Sequence, residues 1–220
     1  MKTFEKVVDY HQRSIFVVLS IVIFLFIQSY LLLRWHAEIA VRKAKDYLSQ
    51  LEGLDKNLFI KRASLYSKAL KLYKRAILFN ALDSRYYFEY SRRLLEIFTE
   101  KELREMLNIY LDIPDILTHI QWYIFKAVTL EPLNSKYHLF LAYFYGLRSN
   151  KENVQEELRK AYILDSRNIE NGIYIIRYFL NNNLPYKAIY YLDKVEYICK
   201  ELNYSFDSCK EIRHLREKMS

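Results

Sequence analysis

A repeat in the second half of this sequence restricts its fold more than any other feature. When the sequence is compared with itself at a shift of 34 residues, side chains of similar type coincide and the register continues without a gap. The coincident positions carry small, aliphatic or amide side chains and include Ala127, Ala161 and Val195; Leu130, Leu164 and Ile198; Asn134 and Asn168; and Leu158 and Leu192. A repeat of this length predicts a solenoid, in which each unit covers the apolar face that its neighbour leaves open.

The scarcity of turn residues predicts that the repeated elements are helices. The 220 residues include only three glycines and three prolines. An all-β sandwich needs glycine for its tight turns, and a doubly wound nucleotide-binding fold needs it where the backbone approaches phosphate. We therefore expect an all-α chain.

The repeated residues resemble the tetratricopeptide repeat, whose helix pairs carry large apolar residues on the first helix and small residues on the second. In the clearest unit, residues 135–168, the matching residues are Leu141, Ala142, Tyr145, Val154, Leu158 and Ala161. In the next unit, from residue 169 to about residue 200, they are Ile175, Phe179, Ala188, Leu192 and Val195. The resemblance implies a short α-solenoid over residues 58–200 that binds other proteins and catalyses nothing.

This sequence departs from the family pattern at three places. Gly172 stands where the family usually has an aromatic residue, Ser166 replaces the terminal proline, and three asparagines at residues 181–183 replace a glycine-containing turn. Upstream of the clear units the match is weaker. The helices predicted there are residues 66–76, as the second helix of a unit, and residues 84–98, 101–112 and 115–130, which include one helix beyond strict alternation.

An apolar segment near the N-terminus has the length of a membrane span. Residues 15–33 contain no charged side chain, and as a helix they cover about 28 Å, close to the hydrocarbon thickness of about 30 Å. The alternative is a cleaved signal peptide, but the apolar run exceeds the usual length and no small-residue cleavage site follows it. We expect a single transmembrane helix after a tail at residues 1–14. It should continue into a membrane-proximal helix and linker at residues 34–57 that breaks within residues 53–57.

Three residues of this region are candidates for membrane contact. Trp35 lies where interfacial aromatic residues are found. Gln28 and Ser29 either pair with another transmembrane helix or are tolerated near the interface. The basic cluster at residues 42–45 is either a solvated helix face or a contact with anionic headgroups. Counting positive charges on the two sides of the span does not decide its orientation.

The two cysteines give the only indication of compartment. Cys199 and Cys209 lie ten residues apart, across a turn predicted at residues 203–207. Two helices folding back at this turn would bring them within bonding range, whereas the alternative is a pair of unbonded thiols packed as small apolar groups. We predict the disulfide, which persists outside the reducing cytosol. This places the soluble domain in the periplasm of a bacterial inner membrane, with the cytoplasmic face as the alternative. Residues 201–220 are predicted to form a capping helix.

The sequence contains no pattern that predicts catalysis. The formal net charge is +8, but acidic and basic residues alternate along helical segments, which argues against nucleic acid as a partner. Scattered glycines exclude a phosphate-binding loop. The five histidines have no ligand spacing and are expected to be isolated at the surface. We therefore expect no enzyme activity, cofactor, metal or small-molecule substrate.

The tetratricopeptide resemblance implies that the first helix of each pair lines a concave groove for a partner. The groove candidates, assigned by repeat position, are Lys136, Leu139, Tyr143, Ile173, Arg177 and Asn181. Because Leu139, Tyr143 and Ile173 replace three of the family's clamp positions, the family's specificity for a C-terminal carboxylate is not expected here. A second contact surface is expected in the apolar residues of 58–82, with only the membrane-proximal helix to cover them.

These features predict a membrane-anchored scaffold that assembles a complex with a protein partner, most simply another membrane protein. The alternative is an accessory subunit of a cell-envelope enzyme machine for glycan polymerisation, cytochrome maturation or protein export.

Overall fold

The computed structural model describes residues 2–55, 57–105, 115–202 and 207–219, and the side chains of residues 15–217 within these ranges. The described residues form helices and no strands. The helices are α1 (Lys2–Glu52), α2 (Phe59–Phe79), α3 (Ser84–Thr99), α4 (Ile116–Leu130), α5 (Ser135–Leu147), α6 (Lys151–Leu164), α7 (Ile169–Asn181), α8 (Pro185–Glu201) and α9 (Asp207–Met219). Residues 101–105 are also helical, and the rest of the helix predicted at residues 101–112 lies outside the described residues. The all-α prediction is confirmed.

The chain divides into two compact units, residues 1–116 and residues 117–220. In the first unit, the exposure of side chains changes along α1. The side chains of residues 15–36 are all exposed, and burial begins at Ala37. Ala37, Ala40 and Ala44 then form a narrow buried face, which lets α2 pack closely against the second half of α1. Helix α1 is the one described helix long and apolar enough to cross a membrane by length and composition.

Helix α2 lies between α1 and α3, which corrects the expectation that its apolar residues lack cover. Leu70 and Tyr73 are completely buried, and only the two ends of α2 expose large apolar side chains. The start of α3 is also tied to α1, because Glu38 accepts hydrogen bonds from the guanidinium of Arg85 at 3.2 Å and from the hydroxyl of Tyr86 at 3.0 Å. The proposed contact surface at residues 58–82 is therefore restricted to the helix ends.

The second unit contains two helix pairs, α5 with α6 and α7 with α8, in the predicted 34-residue register. Asparagine side chains cap the first helix of each pair: Asn134 accepts from the backbone of Lys136, and Asn168 from that of Asn171. The turn inside each pair also repeats, because Ser149 and Asn183 both adopt a left-handed φ of 56°. Asparagine tolerates this conformation better than serine does, and neither position needs glycine.

Gly172, which replaces an aromatic residue of the family pattern, allows α7 and α8 to approach closely. A Cβ atom added at Gly172 would lie 2.3 Å from Cγ2 of Val195 and 3.5 Å from its Cβ. Helix α9 packs on both α7 and α8 and buries Cys209 and Ile212. It thus covers one face of the α7–α8 pair.

A charged pair is buried between α5 and α6. Nδ1 of His138 lies 2.6 Å from a carboxylate oxygen of Glu157, and Nε2 lies 2.8 Å from the carbonyl oxygen of Pro132. The other carboxylate oxygen of Glu157 accepts from Lys160 at 2.8 Å. Since a carbonyl and an ionised carboxylate only accept, this arrangement favours donation from both ring nitrogens and hence the imidazolium form of His138, and the hydrogen bond to Glu157 raises the pKa of His138. The expectation of surface histidines is wrong for His138, which is only 5% exposed.

Candidate protein-interaction surface

The predicted groove residues lie on α5 and α7, as their repeat positions required, but they differ in accessibility. Lys136, Arg177 and Asn181 are exposed, Tyr143 is 39% exposed and Leu139 is half-buried. Ile173 is only 7% exposed and belongs to the apolar core. Its side chain therefore does not line a surface groove, because it is used in packing.

The α7 part of this face lies next to the capping helix. The guanidinium of Arg177 forms an ion pair with Glu211 on α9 at 2.7 Å, so Arg177 already has a partner within the chain. Nearby, burial and the neighbouring Tyr143 and Tyr178 raise the pKa of Tyr174 to about 12. Tyr174 therefore stays neutral at physiological pH, and the three tyrosines offer apolar area with hydroxyl groups.

Another groove lies on the opposite helices of the pairs, between α6 and α8. Its volume is about 750 Å³, and sequence analysis did not identify it. Its lining is aromatic on one side, with Phe179 from α7 and Tyr186, Tyr190 and Tyr191 beside Lys187 from α8. The opposite side is polar and is formed by Glu152, Gln155, Glu156 and Arg159 of α6. We call this the α6–α8 groove. Tyr186 and Tyr190, one helical turn apart, are 64% and 54% exposed. Their spacing was the only signal available in the sequence.

Stacked aromatic rings form the base of the α6–α8 groove. The rings of Phe179 and Tyr191 are parallel within 11°, with centroids 5.6 Å apart, and Tyr162 meets Tyr191 edge-on at 5.0 Å. Lys187 connects the two sides, because its ammonium donates to the side chain of Gln155 at 2.6 Å and lies 5.6 Å from the Phe179 ring centroid. The base is thus ordered before any partner arrives, which lowers the entropic cost of binding.

The same face continues towards the end of α8. Lys194 lies 4.5 Å from the ring centroid of Tyr190, and beyond it a second depression of about 420 Å³ is lined by residues that include Tyr162, Lys194 and Tyr197. Tyr197 is 64% exposed. Aromatic and basic side chains therefore extend along the exposed side of α8.

Two charged residues on the α6 side, Glu156 and Arg159, pair with each other. Glu156 accepts from Arg159 at 3.1 Å, and this pairing lowers the pKa of Glu156. Such a carboxylate is suited to polar contact with a partner and poorly suited to holding a proton for acid catalysis. No group of three or more His, Cys, Asp or Glu side chains that could hold a metal ion occurs among the described residues.

The remaining predicted site residues lie elsewhere on the chain. The Cα atoms of Cys199 and Cys209 are 5.6 Å apart and the structure joins their sulfur atoms; oxidation of this pair in the cell stays a prediction. Most of the turn predicted between them lies outside the described residues. Gln28, Ser29 and Trp35 are exposed on the first part of α1.

No protein-family model matches this chain, and no curated protein matches it significantly. Solved structures of MamA are similar to it. A crystal structure of MamA has a TM-score of 0.50 and 14% identity, covering 74% of this chain and 90% of that chain. A MamA RS-1 ArsTM double mutant has a TM-score of 0.50 and 12% identity, covering 80% and 98%. A structure of MamA from residue 41 onward, from Desulfovibrio magneticus RS-1, has a TM-score of 0.49 and 14% identity, covering 81% and 97%.

The first two of these likenesses show the fold alone. The chain is an all-helical protein in which a long apolar N-terminal helix precedes tetratricopeptide-like helical repeats.

Proposed function

We propose that this protein is a non-catalytic, membrane-anchored scaffold that binds a partner protein and assembles a membrane complex. The observation that carries the proposal is the α6–α8 groove, an exposed aromatic groove on a tetratricopeptide-like stack. Monomeric soluble proteins rarely leave such rings at the surface without a binding role.

The chemistry of the groove favours a peptide segment of a protein. Tyrosine gives large contact area at low entropic cost and is enriched among the residues that dominate binding energy. Tyr186 and Tyr190 would hold an apolar side chain of the partner, while Glu152 and Lys187 lie beside them for polar contacts. The face of α5 and α7, through Lys136, Leu139, Tyr143 and Asn181, is a second contact surface of the same scaffold.

The apolar half of α1 supports membrane anchoring. Residues 15–36 are exposed over a length that matches a bilayer, and Gln28 and Ser29 offer polar groups to a second transmembrane helix. We infer a bacterial inner-membrane protein with its repeats in the periplasm, because the Cys199–Cys209 pair has the spacing of a structural disulfide.

Pull-down from detergent-solubilised membranes tests the proposal. The variant of the α6–α8 groove carries Tyr186→Ala and Tyr190→Ala. The variant of the α5–α7 face carries Lys136→Ala and Tyr143→Ala. The control is Leu133→Ala, because Leu133 is 78% exposed between α4 and α5. We expect the groove variant to lose the partner that the wild type and the control recover, with all proteins equally helical.

The identity and pattern of recovered proteins decide among the possible outcomes. Recovery of an envelope enzyme would make the chain an accessory subunit of that machine. Loss of the partner only in the Lys136 and Tyr143 variant would move the site to the α5–α7 face. A wild-type chain that recovers nothing and stays monomeric would contradict the scaffold.

A further inference from the structure

The end of α2 lies beside the point at which the apolar part of α1 stops. The rings of His36 and Phe79 are 5.7 Å apart, and His36 follows the last residue of the apolar segment, Leu33, by three positions. Helix α1 is continuous there, so these three positions advance about 4.5 Å along its axis. The headgroup region on each side of a bilayer is about 5–7 Å thick, so the end of α2 and the turn to α3 fall within it.

This end of the first unit exposes apolar side chains at that level. Leu78 is 81% exposed and Leu82 is 73% exposed, and Trp35 on α1 is 58% exposed. The turn that contains Leu82 is held in place by its neighbours, because Arg85 pairs with both Asp83 and Glu38. Exposed leucines of this kind are costly in water and stable among the upper acyl chains.

A basic depression lies between α1 and α2, beside these leucines. Its volume is about 310 Å³, and its lining includes Lys43 from α1, Arg75 from α2, and the rings of His36 and Phe79. Among the described residues that line it, none is acidic. The two cationic groups come from different helices and match the charge of a lipid phosphate. Lys43 lies about 15 Å along α1 from Leu33, and its long side chain can extend back towards the headgroups.

We propose that this end of the α1–α2 pair is a second membrane contact, in which Leu78 and Leu82 enter the interface and Lys43 and Arg75 bind the headgroup of an anionic phospholipid. The inference rests on the proposed function, since it requires α1 to span the bilayer. We assign the lipid surface as the binding partner because Leu78 and Leu82 continue the exposed apolar surface of α1. The position of α1 in the bilayer sets the depth of both leucines. The contact would hold the α1–α2 pair at a defined angle to the membrane.

Fluorescence quenching in vesicles tests the contact with the full chain. Tryptophan is placed at Leu78→Trp in a chain that also carries Trp35→Phe and Trp122→Phe. The matched control is Ile60→Trp, which is 64% exposed at the other end of α2, about 27 Å away along the helix. The vesicles contain phosphatidylglycerol and phosphatidylcholine brominated near the glycerol end of its acyl chains. A separate Trp122→Phe protein keeps Trp35 as the reporter for the membrane anchor.

We expect strong quenching of Trp35 and of the tryptophan at position 78, and none at position 60. If Trp35 is not quenched, the anchor fails and the proposed function fails with it. If Trp35 is quenched but position 78 is not, the anchor stands and the lipid contact is overturned. Equal quenching at positions 60 and 78 would mean that α2 lies flat on the membrane, which also overturns the proposed end-on contact.

The headgroup assignment has its own test in the same protein. Quenching at position 78 should be stronger when phosphatidylglycerol is present than in phosphatidylcholine alone, and Lys43→Gln with Arg75→Gln should remove that difference. The matched control is Lys61→Gln with Lys68→Gln, which changes two exposed residues of α2 further from the span. This control should leave the effect of phosphatidylglycerol on quenching unchanged. If the anionic lipid has no effect on the starting protein, or if both pairs act alike, the phosphate site is overturned.

Discussion

Replacing Glu157 with glutamine should remove a pH-dependent part of the stability of the repeat unit. His138 donates to a carboxylate oxygen of Glu157 at 2.6 Å and to the carbonyl of Pro132 at 2.8 Å. A glutamine at position 157 can donate its amide hydrogen to Nδ1 while Nε2 still donates to Pro132. The variant therefore keeps both hydrogen bonds with a neutral ring and loses the charges.

The expected loss follows from the burial of both charges. His138 and Glu157 are 5% and 8% exposed, so water screens their attraction little. Hydrogen bonds to charged groups contribute about 1.5–3 kcal/mol and neutral ones about 0.5–1.5 kcal/mol. Because the variant keeps neutral hydrogen bonds, we expect Glu157→Gln to cost about 1 kcal/mol near pH 6. For a repeat unit of about 100 residues, 1 kcal/mol corresponds to a fall of about 4–8 °C in Tm.

The pH dependence has a definite sign. The hydrogen bond to Glu157 raises the pKa of His138, burial opposes this, and the hydrogen bond to Pro132 adds to it. The stabilisation is therefore complete below the ordinary histidine pKa of about 6.5 and is lost as the pH rises through the higher folded value. Burial raises the pKa of Glu157, but hydrogen bonds from His138 and Lys160 outweigh it and leave the pKa lowered. The stabilisation by the Glu157 carboxylate is lost as the pH falls through the pKa of Glu157 in the folded protein.

Thermal unfolding at pH 6 and pH 8 measures the effect. Trp122 fluorescence, in a chain with Trp35→Phe, reports on the repeat unit alone. The wild-type advantage over Glu157→Gln should shrink at the higher pH. The neighbouring exposed carboxylate provides the control, since Glu156→Gln should leave both the Tm and its pH slope unchanged. Equal pH slopes in the wild type and in Glu157→Gln would refute the assignment of His138 as an imidazolium.

Three further predictions concern packing, a turn and the cysteines. Gly172→Ala should lower the free energy of unfolding by about 1–3 kcal/mol through overpacking. Adding Val195→Ala should restore part of this loss, because it removes the Cγ2 atom that lies 2.3 Å from the added Cβ. Denaturation of the wild type, the two single variants and the double variant measures both effects. Ser149→Gly should raise stability by about 1 kcal/mol, since serine occupies a left-handed φ of 56°, and an unchanged or lower Tm would contradict it. The Cys199–Cys209 bond should add about 3 kcal/mol to the repeat unit, and equal thiol labelling with and without reductant in the denatured protein would exclude the bond.

The sequence predicts the helix pairs well because their determinants are local and periodic. Asn134 and Asn168 cap equivalent helices, and the left-handed residues Ser149 and Asn183 fall at the same position of each repeat. A period of 34 residues therefore specifies both the helices and their turns. The first part of α1 was predictable for a different reason, since an uninterrupted apolar segment has few structural alternatives.

The His138–Glu157 pair and the α6–α8 groove could not be predicted from the sequence, because both depend on which face of one helix packs against another helix. Glu157 follows Val154 by three residues and precedes Ala161 by four, so helical phase places it on the buried face of α6, but its partner His138 lies on another helix. Tyr186 and Tyr190 resemble the many core tyrosines in type. Only the position of α6 beside α8 distinguishes an aromatic groove from an aromatic core.

The scaffold proposal is tested most directly by photo-cross-linking from the α6–α8 groove in native membranes. A benzoylphenylalanine replaces Tyr190, which is 54% exposed, and in a second protein it replaces Leu133, which is 78% exposed. The account predicts a discrete cross-linked product with one partner protein from position 190 and none from position 133. The absence of any product from position 190, with the protein folded and present in the membrane fraction, would contradict it.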